Sequence, residues 1–238
     1  MARGVSLGNL LTDLRSEIGH SLQVSLGKAS RDPLINLLQR TQKRLWEDYN
    51  WPFLKITKDL TIAAGQRYYD IPDDLTFERI TRVEVKHGSQ WTKLHYGIAG
   101  AEYNSHDSDA GDRSSPTQKY DAYGTGQIEI WPIPANNSNA TTLADVVRIH
   151  GIKNLSAFVS EADTADLDDQ LIVLFAAAEV SARQKQSDAQ NKLAQAQAHY
   201  MRLKARMSKN ETFIISGGEA PSTYKTTGIV SPFPNVGS

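Results

Sequence analysis

Six histidines are the first residues to test for chemistry: His20, His87, His95, His106, His150 and His199. No two stand four apart, the spacing that places two imidazoles on one helix face for a metal. His106 with Asp107 and Asp109 forms the densest local cluster, and its surroundings of Asp, Ser and Gly read as a solvated loop. A hydrolytic centre around His106 stays open as a minor alternative. Asp163, Asp166, Asp168 and Asp169 could be imagined as a carboxylate site. They precede a helical pattern, where negative charge complements the positive helix N-terminus. No GxSxG elbow occurs. Gly124-Thr125-Gly126 lacks the third glycine and following helix of a phosphate loop, so it reads as a hairpin turn. Without cysteine, disulfides and thiolate metal sites are excluded. The residues therefore predict no catalytic centre, no cofactor and no metal site.

The elements that carry these side chains are organised around 166–209. This stretch holds no Gly or Pro and is rich in strong helix formers. Leu167, Leu171, Leu174, Phe175, Ala178 and Ala182 draw one apolar stripe at helical spacing. Ala189, Leu193, Ala196, Tyr200, Leu203 and Met207 alternate four and three, a narrow coiled-coil-like seam. The stripes fall out of phase between Ala182 and Ala189. Ser187 with Gln190 has capping-box spacing. The expectation is a helix of about 18 residues, a turn near Gln184–Ser187 and a second helix of about 20, with one continuous helix as the alternative. Neither stripe can face water alone. The other helical region is N-terminal: Leu7, Leu10, Leu11, Leu14 and Ile18 after a capping Ser6, then a helix starting at Ser30–Pro33 and ending before Trp51-Pro52.

From Lys55 the period changes to that of strands. Short runs separated by Gly, Pro and Asn turns, with no helix between them, predict antiparallel pairing. The fold class expected is α+β: a helical bundle from N- and C-terminal hairpins, an inserted antiparallel β sandwich or barrel, and an extended C-terminal arm. The predicted units are 1–54, 55–155, 156–211 packing with 1–54, and 212–238. The last is too apolar for a solvated tail. Phe213, Ile214, Ile215, Tyr224, Ile229, Val230 and Phe233 suit an arm laid on another molecule. Trp46, Tyr49, Trp51 and Phe53 read as a core hinge between helix and sheet.

Charge adds a polarity. Net charge is −1, which argues against a generally nucleic-acid-binding surface. Yet 156–179 holds acids and no base, whereas 182–209 holds seven bases and one acid. Dipole complementarity and solubility explain this. A sharper reading sets one subunit's acidic end against a neighbour's basic face, or makes 183–209 a nucleic-acid-binding helix. No apolar run is long enough to cross a bilayer. The N-terminal residues lack a signal peptide's apolar core, so synthesis in a cytoplasm is expected.

One resemblance joins the pieces. The order is Arg44-Leu45-Trp46-Glu47-Asp48-Tyr49-Asn50-Trp51-Pro52-Phe53, then Gly65-Gln66-Arg67-Tyr68-Tyr69-Asp70-Ile71-Pro72. Val83-Glu84-Val85 with Trp91-Thr92-Lys93-Leu94 follows, then Gln127-Ile128-Glu129-Ile130-Trp131-Pro132-Ile133-Pro134. Leu167-Asp168-Asp169 running into Ala176-Ala177-Ala178-Glu179 closes the series. It resembles the head-to-tail adaptor (connector) proteins of tailed bacteriophages, including the tubular adaptor of short-tailed phages, over about 30–210. The resemblance implies a non-enzymatic structural protein of the virion. It implies a ring of about twelve copies beneath the portal protein, extending the DNA channel and receiving a tail or nozzle protein. It further implies helices 6–49 and 166–209 in the ring wall, with Leu171, Phe175, Leu193, Tyr200 and Leu203 as packing residues. The arm would bind the portal or a neighbour. DNA would pass without sequence-specific contact.

Overall fold

The computed structural model describes residues 3–19, 28–106 and 111–207. Helix α1 (Leu7–Glu17) starts where Ser6 Oγ accepts the Asn9 N–H, and it buries Leu7, Leu10, Leu11 and Leu14. Helix α2 (Lys28–Asp48) begins earlier than expected, with Pro33 inside it. Proline there removes one i→i−4 bond, and the rest of a 21-residue helix holds the turn. Leu37, Leu38 and Leu45 are its buried face.

Among the described residues eight strands follow: β1 (Lys55–Leu60), β2 (Tyr68–Asp70), β3 (Ile80–His87), β4 (Gln90–Lys93), β5 (His95–Tyr96), β6 (Lys119–Tyr123), β7 (Gln127–Trp131) and β8 (Val147–Ile152). A short helix α3 (Gly100–Tyr103) lies between β5 and β6. The strands make two four-stranded sheets, ordered β1-β8-β3-β4 and β2-β7-β6-β5. Alternate residues of both sheets, among them Tyr69, Val83, Val85, Ile128, Ile130, Val147 and Ile149, share one core. Gly151 sits at a shift of register opposite Ile80, and a Cβ there would come within 2.6 Å of the Leu75 side chain.

One expected pairing is corrected. Strands β5 and β6 run parallel, His95 beside Lys119 and Tyr96 beside Tyr120. Parallel partners need a long crossover, and the polar stretch read as a loop supplies it. The chain changes sheets at Leu94, whose N–H bonds Val83 (2.9 Å), whereas the His95 N–H bonds Gln118 (2.9 Å).

Helices α4 (Asp169–Arg183) and α5 (Ala189–Met207) close the described chain. Between them Lys185 takes φ +55°, which no continuous helix allows. The first i→i−4 bond of α5 runs from the Lys192 N–H to the Asp188 carbonyl, so Asp188, not Ser187, occupies the N-cap. Buried side chains of all four long helices, together with Trp51, Leu54, Ile152 and Phe158, form a second core.

Trp51 joins the two regions. It is 1% exposed, and its indole N–H donates to the Leu45 carbonyl at 2.9 Å. Its ring meets Tyr49 edge-on at 5.1 Å, Phe53 at 5.7 Å and Tyr200 of α5 at 6.0 Å. Trp51→Ala should therefore cost about 3–5 kcal/mol in urea unfolding. Lys43→Ala, on the exposed side of α2, should stay within about 0.5 kcal/mol of wild type. Equal midpoints for the two variants would mean that the indole does not hold the junction.

Candidate assembly interface

The chemistry-bearing residues are dispersed. His106 Nδ1 lies 3.1 Å from Asp112 Oδ2 on an open surface, and Asp107 and Asp109 lie outside the described residues. His150 sits between Thr57 Oγ1 (2.9 Å) and Glu84 Oε2 (3.0 Å) across β1, β8 and β3. Among the described residues no three His, Asp or Glu converge in a way that could hold a metal ion.

The acidic run is largely consumed within the chain. Asp168 caps α4, its Oδ1 accepting the Leu171 N–H at 3.0 Å. The same oxygen lies 2.8 Å from His199 Nε2, and both side chains are buried. Asp166 accepts from Lys153 Nζ (3.0 Å) and from the Ser156 N–H (2.7 Å). Asp163 accepts the Ser160 and Val159 N–H groups, each at 2.6 Å. These bonds, Ser160 first, hold its carboxyl below the ordinary 3.8. Glu161 pairs with Arg31, and Glu179 with Arg40 and Arg183. Of the basic run, Arg183 is thus engaged, and Lys192 reaches Glu17 Oε1 at 3.0 Å. Lys204 lies over the rings of Tyr49 and Tyr200 at 4.8 and 4.9 Å. Among the described residues Lys185, Arg202 and Arg206 have no acid within 4.0 Å. Lys209 lies outside them.

The packing candidates divide. Leu171 and Leu203 are fully buried inside the chain, and Phe175 and Tyr200 are half-buried, ring to ring at 6.3 Å. Leu193 points outward and is 42% exposed. Most of the seam read from sequence faces inward: Ala196 and Leu203 are buried and Tyr200 and Met207 pack on the core, with His199 added and Leu193 left out. His199 entered no apolar pattern, and Asp168 draws it inward. The arm residues Phe213, Ile214, Ile215, Tyr224, Ile229, Val230 and Phe233 lie outside the described residues.

A second polar centre escaped the sequence altogether. Arg67 Nε donates to Glu129 Oε1 at 2.7 Å, and the Tyr103 hydroxyl donates to the same oxygen at 3.0 Å. The guanidinium lies 4.8–5.2 Å from the rings of Tyr68, Tyr103 and Trp131. Burial opposes the charged guanidinium, but the bond and charge of Glu129 outweigh it and raise the Arg67 pKa. They come from three separate stretches of sequence, around Arg67, Tyr103 and Glu129, with no fixed spacing between them.

Set against known families, residues 5–219 match the family model described as SU10 adaptor protein. No curated protein matches the chain.

The Asp163 turn has a pH signature. The Leu7 and Gly8 N–H groups donate to the Asp163 and Glu161 carbonyls at 2.7 and 3.1 Å, so this turn also seats the start of α1. A carboxylate whose folded pKa is depressed stabilises the fold above its unfolded value. That contribution disappears as pH falls through the lower folded value. Wild type should lose stability below about pH 4. Asp163→Asn should be less stable at pH 7 and show a flatter acid limb. Parallel acid limbs in thermal melts would remove Asp163 from this role.

Proposed function

The chain belongs to the SU10 adaptor protein family, a family of phage structural adaptors, and from that premise we propose that it builds the ring between portal and tail. The match over 5–219 carries this reading, because it spans both the helical cores and the sheets rather than one local motif. No helix among the described residues is long and apolar enough to cross a membrane.

In this reading 1–54 and 156–211 act as one helical unit, 55–155 as the β unit and 212–238 as the arm. About twelve copies close the ring. Leu193 and the exposed edges of Phe175 and Tyr200 meet neighbours directly. Leu171 and Leu203 contribute by holding α4 and α5 together. Phe213, Ile214, Ile215, Tyr224, Ile229, Val230 and Phe233 dock on the portal or on a neighbouring copy. A tail or nozzle protein binds the opposite side. DNA passes through the channel at the head–tail junction without sequence-specific contact, in keeping with a net charge of −1. A DNA-binding role for 183–209 is less well supported, because Arg183, Lys192 and Lys204 are held by groups of the chain itself.

Mass measurement tests the reading. The full chain mixed with portal rings should give a complex heavier than the portal by many copies. Deleting 212–238 should weaken that complex by at least about tenfold, as expected for the loss of an apolar arm. Undiminished assembly of the truncated chain would overturn the arm assignment. A chain that stays monomeric beside the portal would overturn the ring.

A further inference from the structure

The outward side of α5 is unlike that of a solvated helix. Leu193, Ala194, Gln197, Ala198, Met201 and Ala205 fall within an arc of about 140° at 3.6 residues per turn. The arc lies opposite the buried Ala196, His199 and Leu203. All six are exposed and none is charged, where a helix facing water normally carries its charges; Lys204 falls in the same arc, and its ammonium is folded back over the Tyr49 and Tyr200 rings. Met201 is 65% exposed and Leu193 42%. Arg202 borders this face and Arg206 lies one turn further on, towards the buried side; among the described residues neither has an acid within 4.0 Å.

A groove of complementary character runs between α1 and α4. Its volume is about 480 Å³, with apolar Val173 and Leu174 and acidic Asp13, Glu17 and Asp169 among its lining. The α5 of the same chain cannot fill it with this face, since α5 turns its opposite side to the core.

We propose that the outward face of α5 docks in the α1–α4 groove of a second copy, with Met201 and Leu193 against Leu174 and with Arg202 against Asp13 and Asp169. The proposal rests on the ring reading and names the surfaces that would meet in it. Charge selects this occupant. Two α5 faces placed against each other would oppose arginines to arginines. A nucleic acid would gain the arginines but would leave Met201 and Leu193 exposed to water. One face and one groove on every copy make a head-to-tail contact, the kind that closes into a ring when its rotation allows.

The natural lack of cysteine makes the contact directly readable. A chain carrying Met201→Cys and Gln170→Cys, both exposed positions, should form ladders of disulfide-linked copies on oxidation in the portal complex. Either substitution alone should not. Arg202→Glu should weaken copy-to-copy association at least tenfold at low salt, and adding Asp13→Lys should restore most of it. A normal helical spectrum in each variant keeps folding out of the comparison. Ladders together with charge rescue sustain the contact. Dimers from Met201→Cys alone would mean face-to-face pairing and overturn it. A wild-type-sized ring that neither cross-links nor responds to Arg202→Glu would also overturn it while leaving the ring intact. A wild-type chain that never associates would remove both readings.

Discussion

The pairing of β1 with β8 is the contact on which the rest of the molecule depends. Lys55 lies opposite Ile152, and the Lys153 N–H donates to the Leu54 carbonyl at 2.8 Å. The two points where the chain enters and leaves its β region are therefore held side by side. The helices on either flank can then share one core although 120 residues (49–168) separate α2 from α4. Closing so long a loop costs chain entropy, which grows only slowly with loop length. The six-residue ladder of β1 and β8 and the burial of Ile152 beside Leu54 and Trp51 offset that cost. Trp46 adds a clasp across the same place, its indole N–H donating to the Lys153 carbonyl at 3.0 Å.

Periodicity carried the helices and most strands, because both patterns report which side chains avoid water. It failed where a polar group is buried by a partner remote in sequence. His199 lies inside because Asp168 accepts from it, which adds it to the buried face of α5, whereas Leu193 faces outward. Arg67 and Glu129 are invisible for the same reason: each reads as a surface charge until the sheet brings them together. The parallel β5–β6 pair is two residues long, too short for any alternation to register. The Trp51 hinge was legible because four aromatics crowd the end of a helix around Pro52, a density that solvent does not favour. The segment 212–238 could be read only as apolar excess, since its own sequence pattern names no surface to cover it.

Charge shows most clearly what the fold uses and what it leaves over. The acidic run before and within α4 was legible as complementary to a helix N-terminus, and Asp168 plays that part. Its neighbours go further than dipole arguments required: Asp163 and Asp166 fix the segment between β8 and α4 through backbone and lysine donors. Those bonds position the start of α4 against α1, whose own start bonds the same segment. The acidic run is thus mainly an internal scaffold, whereas the basic run is only half absorbed.

That asymmetry bears on how a structural adaptor divides its labour. Two cores packed from separate elements give a body whose surfaces are fixed by burial, not by loops. The sheets contribute rigidity through the β1–β8 ladder and through the Arg67–Glu129 centre, where removal of one partner would strand the other in a largely closed site. The helical side is held inward by Leu171, Leu203 and the Phe175–Tyr200 contact, yet its outer surface keeps a largely apolar and amide face on α5, beside Arg202, which has no acid within 4.0 Å among the described residues. Met201 and Leu193 stay exposed because the inward side of α5 is already filled by Ala196, His199 and Leu203, so covering them would take a second molecule.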